Sequence, residues 1–384
     1  MYKMTNDLRS KEIIEAENEK VNKIKESLQN LKEKKSKFLF FVTKTVNPSA
    51  SIYEVYFHAN VVKKMGYEVK ILTDSNDYEI PYWIEDELTD LPHEPMENAR
   101  LTVSPEDVLV IPEIFSNIME KTVNLPCIRI GLLQSIDYMM NALVPSTDWS
   151  SFGIKKVITT SDNMKTFLEE YMGKNKFDIS VYDVGIPDFF AINKEPKRPV
   201  ISIVGRNPNE ISKLIKLFYN KYPQYSWVTF DSMITESKPP RALTRKEFAE
   251  RLRKNFAVVW VDRISSFGTL PLEAMASGTI PIALLPDMPP EYIIETNENG
   301  EDNYIENCGV WTKDFYALPI LIGDVLTKFL DDSITDEIIM KMKDISSKYN
   351  QENSENQLKE IYESLLNERY EILKNAIDNF EKNK

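Results

Sequence analysis

Residues 256–286 read as a strand, a turn, a helix and a second strand in immediate succession, and no other stretch constrains the chain as tightly. The run Phe-Ala-Val-Val-Trp-Val at 256–261 has the length and β-branched content of a buried strand. A turn carrying Gly268 follows, then an Ala/Leu/Met-rich helix that stops at Gly278 before another short apolar strand. A turn of this kind aims unpaired backbone N–H groups and the positive end of a helix at one point, and Gly268 lets a ligand approach the main chain, so the natural guest is a phosphate. Glu273 lies about one helical turn further in, within reach of a sugar hydroxyl if the guest is a nucleotide. The alternative is an ordinary αβ crossover whose glycines only close turns.

The 384 residues exceed the usual limit of a single core, and the 42% apolar share is enough for two. The pattern predicts a helical extension over 1–35, a first αβ domain over 36–194, a second over 195–345, and C-terminal helices over 346–384. No run of about 18 apolar residues is available to span a bilayer. The first ten residues lack a signal-like apolar segment, and the two cysteines, Cys127 and Cys308, do not make a disulfide framework, so a cytoplasmic protein is expected. The net charge of −13 gives no general attraction to DNA or anionic lipid.

Within 10–35, Ile14, Val21, Ile24, Leu28 and Leu31 form one narrow apolar stripe. It suits either packing onto the protein's own surface or a short coiled coil making a homodimer. Strands are expected at 38–42, 67–72, 107–111, 127–133 and 154–159, with a helix at 52–65 closing the first βαβ unit. The second domain opens on a strand ending in Gly205-Arg206, continues with a strand at 227–230, and reaches residue 256 through an amphipathic helix at 243–254 capped by Thr244. His58 and His93, the two histidines, have no metal-ligand or nucleophile partner at a recognisable spacing and read as packing or surface groups.

The segment Ser265 to Gly278 resembles the signature of retaining glycosyltransferases of the GT-B architecture, specifically glycosyltransferase family 4. Phe267, Gly268, Pro271, Glu273, Ala274, Met275, Ala276 and Gly278 match it, while the first of the family's two glutamates falls on Ser265. Pro290-Glu291 and the turn at 297–300 resemble further pieces, as does 183–189 at the end of the first domain, so the resemblance covers about 37–331. It implies an α/β fold of two Rossmann-like, doubly wound parallel sheets facing a cleft, with the last helix crossing back to the first domain. It also implies transfer of a sugar from a nucleoside diphosphate sugar to a hydroxyl acceptor, with no resident cofactor and no metal, since no Asp-x-Asp site is present.

The same resemblance assigns the donor to Gly205, Arg206, Lys213, Phe267, Gly268, Thr269 and Glu273, with Arg206 and Ser265 in the catalytic positions. The family's diphosphate-binding lysine is replaced by Ile211, which leaves Lys213 as the substitute. On the acceptor and sugar side it points to Lys44, Ser49, Ser51, Gln134 and Asp137, in loops that carry no glycine where the family's first loop is Gly-rich. The acceptor stays open among a glycan, a lipid-linked sugar, a protein, a metabolite and a modified DNA base. Ser265 and the displaced lysine keep alive a catalytically silent nucleotide-sugar-binding protein, and an epimerase or phosphorylase on the same fold is a third reading.

Overall fold

The computed structural model describes residues 2–45, 47–96, 102–192, 196–235, 240–296, 302–304 and 308–382, with backbone alone for 2–14, 296, 302 and 303. Residues 193–195, the first of a charged, Pro-containing linker expected over 193–198, the turn at 297–300 and the side chain of Ile14 lie outside the described residues. Seven parallel strands form the first sheet in the order β3-β2-β1-β4-β5-β6-β7: β1 (Lys37–Val42), β2 (Glu68–Thr73), β3 (His93–Pro95), β4 (Val108–Pro112), β5 (Ile128–Leu133), β6 (Lys156–Thr159) and β7 (Asp178–Val181). A second parallel sheet, ordered β14-β11-β10-β8-β9, holds β8 (Arg198–Gly205), β9 (Thr229–Asp231), β10 (Asn255–Val261), β11 (Ile280–Leu284) and β14 (Val310–Thr312). A two-stranded antiparallel ribbon, β12 (Ile294–Thr296) with β13 (Asp302–Tyr304), stands apart.

Both faces of each central strand are buried, as a parallel sheet covered by helices requires. In β1, Phe38, Phe40 and Val42 enter one apolar cluster while Leu39 and Phe41 enter the one behind it, and all seven residues of β10 are buried. The first half carries the helices α2 (Ala50–Lys64), α3 (Asp86–Thr89), α4 (Ser116–Lys121), α5 (Ile136–Ala142) and α6 (Asp162–Tyr171), preceded by α1 (Tyr2–Lys32). The second half carries α7 (Pro208–Lys221), α8 (Arg245–Lys254), α9 (Thr269–Ala276), α10 (Leu318–Leu330) and α11 (Asp336–Ser347), and α12 (Gln351–Lys382) ends the chain. Thr244 and Glu247 cap α8 reciprocally, which fixes where that helix starts.

Some elements escaped the periodicity. β3 is three residues long and holds His93, expected in a loop; its Nδ1 faces the Leu91 carbonyl at 2.7 Å and must carry the proton, so Nε2 accepts from the Tyr56 hydroxyl at 2.7 Å. His58 is fully buried on α2, where desolvation pushes its pKa down to about 3 and Nδ1 meets the Tyr362 hydroxyl at 2.8 Å. It is a packing residue. β9 begins two residues later than its apolar run, because Trp227 is half exposed and only Thr229–Asp231 reach the neighbouring strand.

The last helix does cross back. α12 packs on α1 and α2, burying Leu358, Tyr362, Leu365, Leu366, Leu373 and Ile377. Lys25 pairs with Glu381 at 2.9 Å and the Lys32 ammonium lies over the Tyr370 ring, so α1 docks on the protein's own surface. The chain leaves the first sheet and returns to it side by side: Ile186 N–H donates to the Tyr349 carbonyl at 2.7 Å, and Gln357 exchanges two hydrogen bonds with Asp183. Gly185 makes this crossing possible, since a Cβ there would stand 2.6 Å from the Gln351 Cα. Gly185→Ala is therefore expected to cost about 1–3 kcal/mol through overpacking, read as a lowered denaturant midpoint; an unchanged midpoint would mean that the two crossing segments are free to separate.

Candidate functional site

Each sheet reverses its strand order once, between β1 and β4 in the first and between β8 and β10 in the second, and the loops at the C-terminal ends of these strands face each other. Crevices of this kind are where doubly wound sheets bind ligands. Here they enclose one cavity of about 1040 Å³. Its first wall comes from the β1–α2 loop with Lys44, Ser49 and Ser51, from Glu113 and Ile114 after β4, and from Gln134 and Tyr138 after β5. The second wall comes from Gly205 and Arg206 after β8, Ile211, Ile215 and Lys216 on α7, Met233 and Ile234 after β9, and Trp260 and Asp262 at the end of β10.

The polar wall is well ordered. Ser49 caps α2, Gln134 Nε2 donates to the Ser51 carbonyl at 3.1 Å, and Lys44 pairs with Asp77 at 2.6 Å. Glu113 is 1% exposed, and burial pushes its pKa up to about 8, so it carries its proton at neutral pH. Across the cavity Arg206 Nε donates to Asp262 at 2.7 Å, and its guanidinium also meets the Tyr138 hydroxyl from the opposite half. Lys216 has no hydrogen-bond or ion-pair partner among the described residues. Lys213, three residues earlier on α7, points elsewhere, its ammonium 2.7 Å from the Tyr316 hydroxyl and over that ring.

Of the residues expected from the sequence, the structure gathers Lys44, Ser49, Ser51, Gln134, Gly205 and Arg206 around this cavity; Lys213, Ser265, Phe267, Gly268, Thr269, Glu273 and Asp137 do not line it. Gly268 is the left-handed N-cap of α9 (φ 73°) and sits directly behind Trp260, whose ring a Cβ would approach to 2.8 Å. Thr269 is the first residue of α9. Phe267 packs between Tyr292 and Tyr349. Ser265 is 5% exposed and bound into the other half: its carbonyl accepts from Ser135 Oγ at 3.0 Å and its N–H donates to Asp137 Oδ2 at 2.6 Å.

Glu273 is buried rather than open to the cleft. Arg245, the first residue of α8, holds it at 2.5 Å, stacks 3.7 Å over the Tyr53 ring of α2, and donates its own N–H to the Trp83 carbonyl. Sequence reasoning missed Arg245, Lys216, Glu113, Tyr138 and Asp262. Asp262 and Glu113 were within reach of it, because each directly follows the C-terminal end of a central parallel strand. Arg245 was not, since an arginine after a capping threonine looks like any helix-start residue.

No family model and no curated protein matches the chain in sequence. Solved structures match it in fold. A sucrose-phosphate synthase from Thermosynechococcus elongatus superposes with a TM-score of 0.59 at 13% identity, over 86% of this chain and 99% of that one. The pneumococcal O-GlcNAc transferase GtfA, solved with UDP and GlcNAc, gives 0.60 at 9% identity over 87% and 99%. A glycosyltransferase from Rickettsia africae gives 0.56 at 13% identity over 87% and 98%. The fold is GT-B. At these identities the likeness is one of architecture, and within the GT-B fold the cavity lies between the two Rossmann-like halves. Among the described residues no three His, Cys, Asp or Glu side chains are grouped to hold a metal, and no helix is long and apolar enough to cross a membrane.

Because breaking a buried pair leaves a bare charge in the interior, Glu273→Ala and Arg245→Ala are each expected to lower unfolding free energy by about 3–5 kcal/mol. The double substitution should cost less than the two losses added together. Strictly additive losses in urea unfolding would show that the two groups do not interact.

Proposed function

We propose that the protein is a metal-independent, retaining glycosyltransferase that moves a sugar from a nucleoside diphosphate sugar to a hydroxyl acceptor. The observation that carries the reading is the cavity between two facing switch points, with Arg206 and Lys216 on one wall and hydroxyl and amide groups on the other. The apolar part of the second wall, Ile203, Ile215, Met233 and Trp260, suits a nucleobase, and the two cations suit the diphosphate beside it. Retention of configuration and the absence of metal rest on the resemblance of 265–278, and the buried free thiols Cys127 and Cys308 fit a reducing cytoplasm.

Transfer requires the C1–O bond to the diphosphate to break as an oxocarbenium-like centre forms. Arg206 and Lys216 would meet the negative charge that grows on the leaving oxygen, and in a closed cavity such stabilisation is worth more than in water. Gly205 lets the end of β8 sit close against β10, since a Cβ there would stand 2.6 Å from the Val261 carbonyl oxygen, and this keeps Arg206 at the cavity. Gly268 acts one layer back, directly behind Trp260, with Thr269 opening α9 beside it, and Lys44, Ser49, Ser51 and Gln134 would face the acceptor.

The silent-binder reading draws on Ser265 and the displaced lysine, and the capture of Glu273 by Arg245 supports it further. Release of nucleoside diphosphate on adding donor and hydroxyl acceptors separates the two: release marks a transferase, whereas binding without release marks a silent protein. Arg206→Ala is expected to lower kcat by about 100- to 1000-fold, Lys216→Ala to act in the same direction, and Lys213→Ala to leave turnover near the parent. EDTA should leave activity in place. Loss of activity in EDTA with recovery in magnesium or manganese would contradict charge neutralisation by side chains.

A further inference from the structure

We propose that Tyr138 is the positioning residue of the phosphate site: reaching from the first half, it holds the Arg206 guanidinium of the second in the orientation that meets a diphosphate. The assignment rests on the nucleotide-sugar reading above. Arg206 needs such a partner, because its side chain is 55% exposed at the end of β8 and a free arginine gives up rotamer freedom whenever it grips a ligand. Asp262 fixes one edge of it. One carboxylate oxygen accepts from Nε at 2.7 Å while the other accepts the Ile264 N–H at 3.1 Å. A single bond at Nε still lets the plane of the group pivot. Tyr138 removes that freedom, since its hydroxyl accepts from Nη1 and the guanidinium carbon lies over its ring, 5.4 Å from the ring centre. Nη2 has no partner among the described residues, which leaves the outer edge of the fork for phosphate oxygens.

Tyr138 is itself tied down where the halves meet. It lines the cavity from the first turn of α5, and its N–H donates to Ser135 Oγ at 3.4 Å. The same turn is stitched to the second half, because Ser135 Oγ donates to the Ser265 carbonyl at 3.0 Å and the Ser265 N–H donates to Asp137 at 2.6 Å. The seam therefore delivers the Tyr138 hydroxyl to Arg206. The cation that would face the second phosphate is held from both halves, by a carboxylate of its own and a phenol of the other. Preference for a diphosphate over a monophosphate then depends on Arg206 and, through it, on Tyr138.

The test is a double-mutant cycle read by calorimetric titration of the full chain with three pairs: UDP and UMP, GDP and GMP, dTDP and dTMP. In the parent, one diphosphate is expected to bind more tightly than its monophosphate, and Arg206→Ala should remove most of that advantage. Tyr138→Phe keeps the ring and deletes the hydroxyl. It should cut the advantage by about 3- to 10-fold, leave affinity for the monophosphate unchanged, and cost nothing further in the Arg206→Ala background. A role confined to packing would weaken both nucleotides alike. Such parallel weakening, no effect of Tyr138→Phe, or the same loss with and without Arg206 overturns the assignment. So does a parent that binds a nucleotide without favouring the diphosphate, or an advantage that survives Arg206→Ala. In each of these cases nucleotide binding itself still stands. A parent that binds none of the six overturns both the assignment and the nucleotide-sugar reading.

Discussion

The relation between the two halves rests on the ion pair of Arg245 and Glu273. Both side chains are nearly buried, and the guanidinium is sandwiched between a carboxylate of its own half and the Tyr53 ring of the other. An ion pair in such a place returns little net stability, but separating its members is expensive. The same arginine has one nitrogen, Nη1, without a partner, and the nearby Glu85 carboxylate is likewise unsatisfied. Charge in this region therefore holds the halves in one register more than it adds to stability, and the seam at Ser135, Asp137 and Ser265 repeats that register at the other side of the cleft.

That register decides which groups meet a ligand. With Glu273 turned into the interior, the groups left open on the second half are Arg206, Lys216 and the apolar wall ending at Trp260. In a chain of net charge −13, two cations converging on one cavity give it a local positive character that would favour a diphosphate. Asp262 beside Arg206 orients the guanidinium without removing its charge. The opposite wall is uncharged apart from the Lys44–Asp77 pair, since Glu113 is protonated by burial. In the proposed function, one half would meet the phosphate and the other would present hydroxyl-binding groups.

The architecture was largely legible because its strands are long apolar runs buried on both faces and its helices carry clear stops, such as Gly66 after α2 and Gly278 after α9, both with positive φ. What escaped were short elements whose pairing depends on neighbours: β3 with three residues, and β9, whose start is set by β8 and not by its own apolar run. The site was half legible. Gly205 and Arg206 follow from their place at a strand end. Lys213 against Lys216 could not be decided from spacing, because which lysine faces the cavity depends on the helix's rotation, and the rings of Phe315 and Tyr316 draw Lys213 away. Glu273 matched a motif, yet its partner Arg245 lies 28 residues earlier in sequence, and only the fold, which brings the start of α8 onto α9, reveals it.

The central claim is that a nucleoside diphosphate sugar lies between the two sheets, its diphosphate on Arg206 and Lys216. A crystal structure with the tightest-binding nucleoside diphosphate sugar tests it most directly. The account predicts density for the diphosphate within hydrogen-bond distance of both side chains, the base against Trp260 and Met233, and Glu273 still paired with Arg245. Density with the ribose on Glu273 and Arg245 displaced, or a ligand outside the cavity, would contradict it.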